Sequence, residues 1–190
     1  NKRRKGSESE ARRDSRRMRD LIQSEWYHAL WPSVRLTRDN ETDYENTRKG
    51  GRRAMPFTSL TAGRGNRVIV DDPHSVKNVE SDADREEAVR MFRESVTSRL
   101  NDPKRDAIIV IMHRLHPQDI CGEIERLGLK YVKLILPMEH SRAFSYSTPY
   151  YKDPRTEEYE ILIPARMDRE TLEETKKELV LCKTNGLCIR

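Results

Sequence analysis

One short stretch, Val68-Ile69-Val70-Asp71-Asp72-Pro73, constrains the fold of this chain more than any other. A β-branched apolar run reads as a buried strand. It ends abruptly in two adjacent carboxylates and a proline. An unpaired buried carboxylate is very costly, so the strand must place both acids at its exposed end. Two carboxylates there suit Mg²⁺, which takes oxygen ligands and shares its shell with phosphates and water. The pattern recurs at Ala107-Ile108-Ile109-Val110-Ile111-Met112, followed by His113-Arg114. In open α/β sheets the carboxyl edge of the strands is where ligands bind.

The segment between these two runs predicts a helix over residues 81–100. Ser81 and Asp84 resemble a capping box, and Val89, Phe92, Val96 and Leu100 share one face. Asn101-Asp102-Pro103 stops it. Pro117 opens a short helix carrying Ile120, Ile124 and Leu127, which Gly128 closes, and residues 131–136 read as a third strand. Strands alternating with helices imply parallel βαβ units. Upstream, residues 11–30 predict one helix ended by Pro32, and residues 34–60 one or two hairpins. Thr61-Ala62-Gly63-Arg64-Gly65-Asn66 is a glycine-rich connection into the acidic strand. Residues 140–160 read as loop, and Asp168 caps a last helix with Leu172, Thr175 and Leu179 on one face.

A chain of 190 residues supports one domain of ordinary size. Charged residues make up 36% and hydrophobic residues 35%, which leaves less apolar material for a core than usual. No apolar run approaches the ~20 residues that cross a bilayer, and the basic N-terminus lacks the apolar segment of a signal peptide. Cys121, Cys182 and Cys188 are widely separated and form no CxxC pair, so the simplest expectation is a reduced, intracellular setting. Residues 1–19 hold nine Lys or Arg against three acids. Such a basic arm can neutralise phosphates, or it can be an ordinary solvated segment.

Several of these pieces together resemble the large subunit of a tailed-bacteriophage terminase. Residues 68–73 resemble a Walker B strand. Arg99-Leu100, residues 108–119 (IIVIMHRLHPQD), residues 134–139 and Asp153-Pro154-Arg155 follow in the family's order. Ser24-Glu25-Trp26-Tyr27 and Gly50-Gly51-Arg52-Arg53-Ala54 also read like that family. The match spans most of residues 11–179. It implies an α/β fold: a partial parallel sheet of a P-loop (ASCE-type) ATPase with flanking helices, lacking the Walker A portion. Residues 1–19 would be a basic arm, 11–139 the C-terminal part of the ATPase domain, and 140–190 a linker loop, helix and irregular tail toward a nuclease domain.

The resemblance also implies roles. Asp71 enters the Mg²⁺ shell, with Asp72 positioning or deprotonating the attacking water beside ATP. Asp72 stands where the family often has Glu, and its shorter side chain has to sit closer to that water. His113 and Arg114 stand at the coupling motif and contact phosphate. Arg64 fits, by position, an arginine finger that completes a neighbouring subunit's site. The implied partners are double-stranded DNA, a portal protein, a small terminase subunit and further copies in a homo-oligomeric ring, within the host cell cytoplasm and without a membrane. No GxxxxGK[ST] loop occurs in the sequence, so ATP hydrolysis by the chain alone is expected to be poor or nil.

Plainer alternatives stand beside each role. Asp71-Asp72-Pro73 can be a simple turn, His113 and Arg114 can solvate a strand end, and Arg64 can be a loop arginine with no task. Two other functions are compatible with the residues: a metal-dependent nuclease using Asp71 and Asp72, and a non-catalytic nucleic-acid binder built on the basic arm. His113, His116 and Asp119 are spaced by three in the manner of metal ligands, but Pro117 breaks their helical register.

Overall fold

The computed structural model describes residues 5–60, 63–144 and 147–183. It is a mixed α/β structure whose residues form two compact units, Asn1–Pro73 with Glu86–Met112, and His74–Arg85 with His113–Arg190. The chain passes between them after Pro73, after Arg85 and after Met112.

The first unit opens with helix α1 (Lys5–Gln23) and helix α2 (Glu25–Leu30). The sequence predicts one continuous helix here, and Ser24 breaks it. Its hydroxyl donates to the Leu21 carbonyl at 2.7 Å and accepts the Tyr27 N–H at 3.4 Å, ending one helix and N-capping the next. Strands β1 (Leu36–Asp39), β2 (Asp43–Asn46) and β3 (Gly51–Arg53) follow as an antiparallel meander of two hairpins. Gly51 is required there, because a Cβ would lie 2.7 Å from the Tyr44 carbonyl oxygen.

Strand β4 (Arg67–Asp71) and strand β5 (Ala107–Ile111) pair in parallel, as the repeated apolar runs predict. A parallel pair needs a long crossover, and the chain supplies helix α3 (Val76–Val79) and helix α4 (Asp82–Glu94), then a 3₁₀ turn at Val96–Arg99. The expected 81–100 helix is therefore shorter and changes pitch at Ser95. Ser81 does accept the Asp84 N–H, but its own N–H goes to Asn78 instead of to Asp84. Phe92 and Val96 are fully buried, and Leu100 nearly so. On β4 the burial alternates: Val68 and Val70 face inward, whereas Arg67, Ile69 and Asp71 face solvent. Ile69, Ile109 and Ile111 leave an exposed apolar strip on this outer face.

The second unit contains α3, helix α5 (Ile120–Arg126) and helix α6 (Arg169–Lys183). Gly128, at φ 62°, closes α5 as its sequence position suggests. Asp168 caps α6 through the Thr171 N–H at 2.8 Å, and Leu172 is buried. Leu179, whose side chain was expected on the same face, lies outside the described side chains. The expected strand at residues 131–136 does not form. Val132, Leu134 and Ile135 are exposed and join no ladder. A strand exists only where a neighbouring edge takes its N–H and C=O groups, and among the described residues none does.

Beyond that segment, residues 138–140 bridge antiparallel to 160–162, with His140 N–H donating to Glu160 and Leu162 N–H to Met138. Arg155 locks this bridge. Its guanidinium holds Asp153 through two nitrogens, at 3.1 and 2.8 Å, and donates to the carbonyls of Pro137 at 3.0 Å and Glu160 at 3.2 Å. Both side chains of the ion pair are buried.

Candidate functional site

The carboxylate turn is built by the parallel ladder. Register runs from Arg67 opposite Ala107 to Asp71 opposite Ile111, and the Asp72 N–H extends it by donating to the Ile111 carbonyl at 2.9 Å. Both aspartates thus sit at the carboxyl end of β4, exposed to solvent, as the strand's amino acids require. Asp72 adopts φ 40°, a left-handed backbone that non-glycine residues rarely take. Asp is among the side chains that tolerate it best. Pro73 then fixes the direction in which the chain leaves.

Two residues on, His74 is 6% exposed and its Nε2 accepts the Ile120 N–H at 3.1 Å. Accepting through Nε2 requires a neutral ring with its proton on Nδ1. Burial pushes the imidazole pKa below its ordinary value, and Arg85 and His116 push the same way against the opposing charge of Asp119. Arg85 is itself fixed by the Val79 carbonyl at 2.7 Å, by Asp82 and by Gln118.

Asp119 organises the loop that follows β5. It is fully buried, and its carboxylate caps α5 through the Gly122 N–H at 2.8 Å. The other oxygen accepts from Arg114 Nε at 3.1 Å, Leu115 N–H at 3.3 Å and His116 N–H at 3.4 Å. Gly122 lets this loop lie on the helix, since a Cβ there would fall 1.8 Å from the Pro117 carbonyl oxygen. Together His74 and Asp119 satisfy two N–H groups that open α5, a task that cap positions commonly take.

The other expected site residues fall as follows. Arg114 is engaged by Asp119 and, at 3.3 Å, by Glu125. Burial works against its charge, yet these carboxylates hold its pKa above the ordinary value. His113 is exposed at the start of the second unit. Arg64 is exposed beside Gly63, whose φ is 91°, at the amino end of β4. Gly65 anchors that loop, donating to Arg99 O at 2.9 Å and accepting from Asn101 N–H at 3.1 Å. Arg64 therefore precedes β4, whereas Asp71 closes it. Within a single chain the structure does not bring them together.

The donor set at the turn suits a magnesium ion that keeps most of its water, because Mg²⁺ is commonly bound through one or two carboxylates plus phosphate oxygens. No group of three or more His, Cys, Asp or Glu side chains among the described residues is placed to hold a metal. The His113, His116 and Asp119 spacing follows suit. Asp119 is occupied by four donors, and His116 Nδ1 accepts the Gln118 N–H at 3.0 Å.

Four arginines of α1 have acidic partners. Arg13 and Arg17 pair with Asp14, Arg16 with Glu41, and Arg19 with Asp39. Such exposed pairs contribute little stability, but they lower the field available to phosphates. Among the described residues no helix is long and apolar enough to cross a membrane.

Sequence reasoning named Asp119 only as a metal-ligand alternative and passed over His74. A signal for the first was present, since Asp119 directly precedes the apolar Ile120 and stands three residues before Gly122. Comparison with protein-family models and with curated proteins finds no match.

Proposed function

We propose that this chain is part of the ATPase domain of a terminase large subunit, the motor that drives viral double-stranded DNA into a capsid. One observation carries the reading: a parallel β4–β5 pair, joined through helices, delivers Asp71 and Asp72 at its carboxyl end. That is the edge at which open α/β sheets bind ligands. The exposed Ile69, Ile109 and Ile111 support it further, because parallel strands normally have both faces covered and this face suits a further covering layer.

In this reading Asp71 and Asp72 hold Mg²⁺, which would neutralise phosphate charge on ATP. Asp72 orients the water, and Arg64 serves a neighbouring copy in a ring. The position of Arg64, remote from its own carboxylates, favours that service in trans. DNA, a portal protein and a small terminase subunit are the partners.

The test is a titration of the ¹⁵N-labelled chain with Mg²⁺ and pyrophosphate. The reading expects amide shifts centred on Asp71 and Asp72 that begin with the cation, grow when pyrophosphate is added, and vanish in Asp71→Ala. Shifts confined to other segments, or none, overturn it. Mn²⁺-dependent cutting of plasmid DNA lost in the same variant would instead favour the nuclease.

A further inference from the structure

We infer that α2 and the turn after it form a docking surface for an acidic segment of a partner protein, one carrying carboxylates beside an aromatic or branched apolar side chain. The chain has two tryptophans, Trp26 and Trp31, and both are here. They are 55% and 48% exposed, and Leu30 between them is 59% exposed. Tryptophan is highly buried on average, so two exposed ones grouped with a leucine form an apolar face of the kind that marks interaction sites. Local contacts hold that face in shape. Trp26 and Leu30 are one helical turn apart and so are neighbours on α2. The Tyr27 and Trp31 rings lie 4.7 Å apart, and the Val34 N–H closes the turn on the Trp31 carbonyl at 3.1 Å.

Charge selects the partner. Residues 26–38 contain no Asp or Glu, and the one acid of α2, Glu25, lies at its N-terminal end, away from the turn. Two arginines border that turn. Arg35 donates to the Pro32 and Val34 carbonyls at 2.8 and 2.9 Å, and Arg48 donates to Ser33 Oγ at 3.0 Å. Among the described residues neither has a carboxylate partner, whereas Arg38 and Lys49 both pair with Glu45. An incoming carboxylate offers these guanidinium groups a charge-assisted hydrogen bond. Trp and Arg are also the side chains that most often dominate binding energy at protein interfaces. Two such cations suit a short segment with one or two acids. A nucleic-acid strand is held instead by a run of phosphate contacts, and the α1 arginines at 13, 16, 17 and 19 already have acidic partners.

The test pans a random twelve-residue peptide display library on the full chain and measures the affinity of the enriched peptides by fluorescence anisotropy. The enriched sequences are expected to carry Asp or Glu beside Trp, Phe or Leu, and to quench the emission of Trp26 and Trp31. Trp31→Ala should weaken binding about tenfold, and Trp31→Phe, which keeps an aromatic ring against Tyr27, should recover most of that loss. Arg48→Glu, an exposed change with no structural partner but Ser33, should weaken it several-fold. No enrichment, enrichment of basic or purely apolar peptides, or binding unaffected by both Trp31→Ala and Arg48→Glu overturns the proposal. So does tighter quenching by an oligothymidine strand than by any acidic peptide, which would assign the face to a nucleic acid. Self-association of the chain that is lost in Trp31→Ala would assign it to a second copy and overturns the proposal equally.

Discussion

Asp119 and Arg114 form an ion pair across the turn that follows β5, a fully buried carboxylate holding the Nε of a half-exposed guanidinium at 3.1 Å. The same carboxylate caps α5 and takes two loop amides. Asp119→Ala should therefore cost at least about 2 kcal/mol, combining a lost cap with amides left unsatisfied. Asp119→Asn retains an acceptor for the cap and should cost clearly less. Urea denaturation of both variants checks this. Equal losses would mean that charge, and not capping, is the main contribution.

His74 gives the stability a pH dependence whose sign is fixed by its environment. Burial favours the neutral ring, so the folded pKa lies below that of the unfolded chain, about 6.5. Below that value the unfolded state binds the extra proton and the folded state resists it. The stabilisation is thus complete above about pH 6.5 and is lost as pH falls through the folded pKa. Comparing melting temperatures of wild type and His74→Gln from pH 8 to pH 5 should show the gap between them shifting against wild type on acidification. A gap independent of pH contradicts a neutral, buried imidazole.

The legible parts of this fold are those where a periodic pattern and a hard physical cost coincide. The β4 run could end only where Asp71 and Asp72 met solvent, and β5 repeated its design, so their parallel pairing followed. Phe92 and Val96 announced the buried face of the connecting helical segment in the same way. What escaped depended on partners distant in sequence. Residues 131–136 have a strand's composition, but no described edge receives their backbone. Ser24 splits a helix because its hydroxyl finds the Tyr27 amide, which hydrophobic periodicity does not register. Arg114 is engaged by Asp119 and Glu125, and His74 by the Ile120 amide, through contacts that only the fold creates.

Arg155 and Asp153 should anchor the second unit. Hydrogen bonds from Arg155 hold the Asp153 carboxyl below its usual pKa, so its contribution is present above the unfolded carboxylate value of about 3.9 and is lost as pH falls further. Arg155→Ala leaves a buried carboxylate and the carbonyls of Pro137 and Glu160 without their donor. It should lower the melting temperature more than Asp153→Asn at neutral pH, because Asn still accepts a hydrogen bond from the retained arginine. Thermal scans of the two variants decide the order, and a neutral Arg155→Ala would contradict the clasp.

The account stands most directly on whether the Asp71–Asp72 turn takes up a divalent cation. Anomalous diffraction from crystals of the chain soaked in Mn²⁺ answers it. The account predicts an anomalous peak bonded to the Asp71 carboxylate, absent in crystals of Asp71→Ala. Peaks only at other acids, such as Asp102 and Asp106, or no peak at all, would contradict it.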